Sequence, residues 1–210
     1  MIKDSLLEEG LIKLGLFQDR VLSLLIRYIE EIELFNPAYG LVKVSDRKEL
    51  IVKHILDSLA PLSFIRGLPN NTIADVGSGA GLPGIPLAIC MPDAEVTLVE
   101  RMGRRAGFLR NTIAVLALSN VKVEEAEMEK LSGLEDFSLV VFRAFKPLDS
   151  AILKKLKRLL APNGCIAAYK GRRQSIETEM EQLGEAISWE LVPLEVPFLE
   201  EERHLVLVKP

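Results

Sequence analysis

A doubly wound, mostly parallel α/β sheet of seven strands, closed by an antiparallel strand pair and preceded by helices, is the fold this sequence predicts. Three observations predict it. Strand-like and helix-like runs alternate from residue 72 to about 187, and a glycine-rich turn joins the first of those strands to its helix. The last two strand-like runs then follow one another with no helix between them.

The first third reads as helix only. Leu22, Leu25, Ile29, Ile32 and Phe35 recur at spacings of three and four, and the breaker run Asn36-Pro37-Ala38-Tyr39-Gly40 is expected to end that helix. Ser45-Asp46 offers caps for a second helix that carries Leu50, Ile51, His54, Ile55 and Leu59 and fades near Gly67. Residues 1–68 are therefore expected to form a helical cap, and residues 69–210 the main domain.

In that domain the predicted strands are 72–76, 94–100, 121–123, 139–142 and 165–169. Helices are expected at 84–91, 104–118, 148–160 and 175–187, with Ala161-Pro162-Asn163-Gly164 as a turn. Leu139-Val140-Val141-Phe142 is apolar at every position, as a central parallel strand requires. Residues 189–198 and 204–208 are the final pair; so short a connection implies that they run antiparallel.

At 210 residues the chain can bury a sizeable core without disulfides or metal. Cys90 and Cys165 stand alone in apolar stretches and read as small buried hydrophobes, and no metal-ligand spacing is present. Acids interrupt the N-terminal apolar positions, and no run reaches the ~18 residues of a membrane span, so a cytoplasmic protein is expected. A net charge of −4 excludes a global basic field, although a local patch can still bind phosphates.

Asp75-Val76-Gly77-Ser78-Gly79-Ala80-Gly81-Leu82-Pro83-Gly84 leaves a strand and enters a helix, where the backbone must turn sharply and approach a ligand closely. Three readings compete: an S-adenosylmethionine site, a dinucleotide site matching Gly79-x-Gly81-x-x-Gly84, and a tight turn with no ligand. Three features favour the first. Asp75 is placed to orient a cationic amino-acid end but is unwelcome beside a pyrophosphate. Pro83 and Pro86 remove amide donors that phosphates would need. The antiparallel finish is the layout of methyltransferases rather than of dehydrogenases. Glu100, closing the second strand, can accept both ribose hydroxyls. Ala126-Glu127-Met128-Glu129 comes after the third strand, where such folds meet the adenine.

The segment after strand four constrains the acceptor. Phe142-Arg143-Ala144-Phe145-Lys146-Pro147 holds neither the Asn/Asp-Pro-Pro-aromatic motif of amine methylation nor a nucleophilic Cys. An acceptor with a free lone pair or a simple deprotonation remains, and guanine N7 fits because it carries no proton. Arg143 can bond guanine O6 or a phosphate, or else pair with an acid.

The chain resembles the small-subunit ribosomal RNA methyltransferase G family, also called glucose-inhibited division protein B. The likeness is carried by Val52-Lys53-His54-Ile55-Leu56-Asp57-Ser58-Leu59, by the glycine run through Gly84-Ile85-Pro86-Leu87, and by Arg105 with Phe108-Leu109-Arg110. Arg143-Ala144-Phe145, Lys170-Gly171 and Glu202-Arg203-His204-Leu205 complete it. The resemblance implies N7-methylation of a guanosine in the decoding-centre loop of 16S ribosomal RNA, with S-adenosylmethionine as donor. It also implies cofactor contacts at Gly77, Leu82, the backbone of Met128-Glu129, and Arg143.

Other candidates keep two readings. His54 and Asp57, one helical turn apart, either bond the cap to the sheet or line the active site. His204 beside Arg203 either orders a loop over the pocket or starts a strand. Arg101 and Lys170 lie after strands two and five, at the binding edge of such a sheet, and are candidates for RNA phosphates; Lys154-Lys155-Leu156-Lys157-Arg158 reads as a solvated face. The partner expected is 16S RNA, in the small subunit or an assembly intermediate, with no membrane and no obligate protein partner. Against this stand a methyltransferase of small molecules or proteins, and a module that binds S-adenosylmethionine or a nucleotide without turnover.

Overall fold

The computed structural model describes residues 5–131, 136–144, 148–183 and 187–209, and of Glu129 only the backbone. Phe145, Lys146 and Pro147, which belong to the predicted segment after strand four, lie outside the described residues.

Seven strands are described: β1 (Thr72–Val76), β2 (Glu95–Val99), β3 (Val121–Glu124), β4 (Phe137–Arg143), β5 (Leu160–Lys170), β6 (Ser188–Leu194) and β7 (Arg203–Lys209). They form one sheet in the order β3-β2-β1-β4-β5-β7-β6. β1 to β5 pair in parallel, and β7 pairs antiparallel with both β5 and β6. The terminal pair is therefore antiparallel as predicted, but the last strand inserts between β5 and β6, which sequence order does not reveal.

Side chains alternate across a strand, and that alternation sorts the sheet into two layers. Ile73, Leu98, Leu139, Val141, Ala167, Tyr169, Leu205 and Leu207 face one core. That core is shared with α1 (Ser5–Lys13), α2 (Asp19–Tyr39), the helical run 47–66, α6 (Gly84–Cys90) and α7 (Gly103–Leu116). Ala74, Val76, Val140, Phe142, Ile166, Ala168, Val206 and Val208 face the other, against α8 (Ser150–Lys157) and α9 (Arg173–Leu183). The same parity sends Arg143 and Arg203 toward the N-terminal helices, and Lys170 and His204 toward α9. Cys90 and Cys165 are buried free thiols. No helix among the described residues is long and apolar enough to cross a membrane.

Three local readings are corrected. Helix α2 does not stop at Asn36-Pro37 but runs to Tyr39. It ends when Gly40 turns left-handed, with its N–H on the Asn36 carbonyl. Pro37 sits in the last turn and lacks the N–H that would bond the Glu33 carbonyl one turn back. The second helix is not a uniform α-helix. Asp46 caps α3 (Arg47–Leu50), accepting from Glu49 N at 2.7 Å. The chain then widens into a π-helical segment, Ile51–Leu56, before α4 (Asp57–Leu59) and α5 (Leu62–Arg66). Finally, Ala161-Pro162-Asn163-Gly164 is an interruption inside β5. Its register against β4 jumps from Phe137↔Leu160 to Leu139↔Cys165, and Asn163 turns with φ 67°.

Tyr28, fully buried in α2, donates to the Ala80 carbonyl at 2.7 Å and so ties the helical layer to the glycine turn. Removing that hydroxyl leaves a buried carbonyl without its partner. Tyr28→Phe is therefore expected to lower unfolding stability by about 1–2 kcal/mol, read as a drop in the urea midpoint at unchanged slope.

Candidate active site

The strand parity and the glycine turn converge at the carboxyl ends of β1, β4 and β5, the binding edge of a doubly wound sheet. Two adjacent cavities open there. The larger, about 750 Å³, is lined by residues from the N-terminal helices, the glycine turn, and the ends of β4, β5 and β7. The smaller, about 470 Å³, lies between the ends of β1 and β2 and the turn that holds Met128. Both volumes suit a small-molecule ligand. Gly77, Arg105 and Ala144 border both cavities.

The glycine turn is shaped by positive φ at Gly77 (75°), Gly79 (58°) and Gly81 (91°), a region that costs side-chain-bearing residues dearly. Gly77 and Gly79 line the larger cavity along with Leu82. Gly81 is buried behind them, where a Cβ would come within 2.5 Å of Ile85. Gly84 lets α6 sit close on the sheet; a Cβ there would come within 2.3 Å of Leu98 and 2.7 Å of the Asp75 carboxylate.

Asp75 borders neither cavity. It is fully buried, and its Oδ2 accepts from Gly84 N at 2.9 Å, while Oδ1 has no hydrogen-bond partner. Burial pushes its pKa up to about 7 against the opposing pull of the Gly84 amide and the Arg143 cation. Through that bond Asp75 holds the turn and the start of α6. Glu100 does line the smaller cavity, buried but for 4 % of its surface. Its Oε2 accepts from Gly79 N at 2.9 Å and its Oε1 from Met102 N at 2.8 Å. A carboxylate offers about four acceptor sites, so two remain for hydroxyls in the cavity, and the backbone bonds fix its direction. Val76, Val99, Met128 and Ile152 supply apolar walls suited to a flat base.

Arg143 leaves β4 toward the N-terminal helices, followed by Ala144 in a left-handed conformation (φ 50°). Its guanidinium meets Asp57 Oδ2 at 2.9 Å, the Lys53 and His54 carbonyls at 3.4 and 3.3 Å, and His54 Nδ1 at 3.2 Å. Both carbonyls belong to the π-helical segment, a widening that often marks functional sites. Asp57 Oδ1 also forms an ion pair with Arg203, 3.2 Å from its Nε. Both alternatives kept for His54 and Asp57 therefore apply: they tie the helical layer to β4 and they line the larger cavity.

Lys170 is not a free cation at the rim. Its Nζ lies 2.6 Å from Glu179 Oε1 of α9 and 5.7 Å from the centre of the Phe142 ring. His204 starts β7 opposite Lys170 and donates from Nδ1 to the Gly171 carbonyl at 2.6 Å, so it holds the loop after β5. Arg101 is exposed on the wall of the smaller cavity, while Arg104 stacks on Tyr39 and Arg110 pairs with Glu125. Sequence reasoning missed Tyr28 and Glu179, which reach the site across 52 and 31 positions from their backbone partners Ala80 and Leu148.

The sequence model of the family described as rRNA small subunit methyltransferase G matches residues 21–206. The chain belongs to that family. The ribosomal RNA small subunit methyltransferase G of Treponema denticola is 36% identical, over 100% of this chain and 95% of its own length. That of Treponema pallidum is 42% identical, over 89% and 84%. Among solved structures, a putative S-adenosylmethionine-dependent methyltransferase of Methanococcus maripaludis shares the fold. It has a TM-score of 0.59 at 14% identity, covering 86% of this chain and 91% of that one.

His54 carries a testable pH signature. Burial, then the Arg143 cation, lower its pKa to about 4, against a smaller opposing effect of Glu49. The unfolded chain takes up the proton near pH 6.5 and the folded protein only near 4. The stability this contributes is therefore full above pH 6.5 and is lost as pH falls toward 4. Between about pH 7.5 and 5 the wild type is expected to lose about 1–2 kcal/mol more than His54→Gln in urea unfolding; parallel losses would contradict the buried, neutral imidazole.

Proposed function

We propose that this protein transfers a methyl group from S-adenosylmethionine to N7 of a guanosine in the decoding-centre loop of 16S ribosomal RNA. The observation that carries the proposal is the pair of adjacent cavities that share Gly77, Arg105 and Ala144. One is built for an adenosine around Glu100, and the other is walled by Arg143, with Gly77 and Ala144 at the seam. Membership of the methyltransferase G family supports the reaction class and the ribosomal substrate.

S-adenosylmethionine supplies a methyl group already activated on a sulfonium. The protein's own task is to bind, align and exclude water. In this reading Glu100 receives the ribose hydroxyls, the backbone at Met128-Glu129 meets the adenine edge, and Gly77 and Leu82 border the amino-acid end. Guanine N7 has no proton to lose, so no general base is needed. Both histidines serve as anchors: His54 Nδ1 accepts from Arg143, and His204 Nδ1 donates to the Gly171 carbonyl. Arg143, held by Asp57, two carbonyls and His54, can present a remaining N–H to guanine O6. Residues 1–68 act as a cap that walls the acceptor cavity through Leu41, Val42, Lys53, His54 and Asp57, while residues 69–210 carry the sheet. Arg101, exposed beside the smaller cavity, is the available contact for RNA phosphate. Lys170 and Arg203 act inside ion pairs.

Labelled S-adenosylmethionine tests the proposal on small subunits lacking the modification, on bare 16S RNA and on free metabolites, with products mapped by N7-sensitive strand cleavage. One new cleavable guanosine is expected, and Arg143→Ala should lower kcat by about 10²-fold while the protein still folds. Label on a metabolite or protein, or cofactor binding with no transfer to any RNA, would contradict it.

A further inference from the structure

Most of the cations around the larger cavity are committed to carboxylates of the chain itself. Arg143 and Arg203 share Asp57, Lys53 bridges Glu49 and Glu201, and Lys170 pairs with Glu179. Arg105 differs. Among the described residues no carboxylate lies within ion-pair distance of it. Its Nε is buried without any hydrogen-bond partner, and its Nη2 makes only a long contact, 3.5 Å, to the Gly40 carbonyl. A guanidinium has five N–H groups in a rigid fork, and one left buried and unpaired is costly unless something arrives to accept from it.

Its position says what that acceptor is. Of the three residues that border both cavities, Gly77, Arg105 and Ala144, only Arg105 has a side chain that carries charge. Its Nη1 lies 4.0 Å from the point where a Cβ on Gly79 would stand, so the guanidinium lies over the glycine turn. A ligand with its adenosine beside Glu100 and its reactive end beside Arg143 must cross this seam. Its negatively charged group there needs a planar, bidentate donor. Arg143 is already engaged by Asp57, two carbonyls and His54.

We propose that Arg105 recognises the carboxylate of the cofactor's amino-acid end and so selects S-adenosylmethionine over nucleosides that lack it. The inference rests on the cofactor reading above. A phosphate oxygen of the RNA has the same chemistry as a carboxylate oxygen. Arg105, however, lies part-buried over the glycine turn, whereas Arg101 is exposed to an incoming strand.

Isothermal titration calorimetry with S-adenosylhomocysteine and with 5′-methylthioadenosine, which keeps adenosine and sulfur but lacks the amino-acid end, separates the outcomes. Arg105→Gln is expected to weaken S-adenosylhomocysteine by about tenfold or more while leaving 5′-methylthioadenosine within about twofold, and Arg105→Lys should recover part of the loss. The unchanged nucleoside affinity also shows that the variant's cavity is intact. Equal weakening of both ligands, or of neither, overturns the proposal. So does a variant that binds S-adenosylhomocysteine normally but loses salt-dependent affinity for the small subunit, which would assign Arg105 to RNA phosphate. Wild-type protein that binds neither ligand would sink the cofactor reading itself, a failure distinct from that of Arg105.

Discussion

One carboxylate between two guanidiniums holds the active-site region in shape. Asp57 presents one oxygen to Arg143 at 2.9 Å and the other to Arg203 at 3.2 Å, with side-chain exposures of only 7, 13 and 22 % respectively. At that depth none of the three charges can be left alone: breaking a buried pair from one side strands the other charge. The triad joins segments far apart in sequence: the helical layer, the end of β4, and the start of the inserted strand β7. Each of those is an edge of the larger cavity. That cavity's wall is thus fixed by charge pairing, while the sheet beneath it is fixed by apolar packing.

The other features depend on where that wall must stand. Arg143 reaches the helices only because strand parity sends it to their side of the sheet, and it finds acceptors there because the π-helical segment offers the Lys53 and His54 carbonyls. His54 must then stay neutral to accept from Arg143. On the opposite face the same parity sends Lys170 to Glu179 and His204 to the Gly171 carbonyl, which ties down the loop after β5. Across the seam, Asp75 and Glu100 divide two jobs that a single acid might have shared: the first secures the turn from behind, and the second keeps acceptor capacity open in the cavity.

The parts legible in the sequence were those written in local patterns. Strand β1, the glycine turn and Glu100 at the end of β2 stand where the apolar runs and turn residues placed them, because a βα unit is specified by its own residues. The features that escaped are contacts between distant segments. No periodicity shows that β7 will slip between β5 and β6, that Glu179 will meet Lys170, or that Tyr28 will hold Ala80. Asp75 is ambiguous for a related reason. A carboxylate two residues before a glycine looks equally available to a ligand or to the first amide of the next helix, and only the packing of α6 onto the sheet decides between them. The π-helical widening is invisible because Ile51–Leu56 has ordinary helical composition.

Central to all of this is the coupling of Asp57 to the reaction through Arg143. A double-mutant cycle measures it directly: kcat for methyl transfer in the wild type, Asp57→Asn, Arg143→Gln and the double variant, each shown to be folded at the assay temperature. If Asp57 works by orienting Arg143, the double variant loses no more than Arg143→Gln alone, because there is nothing left to orient. Losses that multiply would show two independent contributions and contradict that coupling.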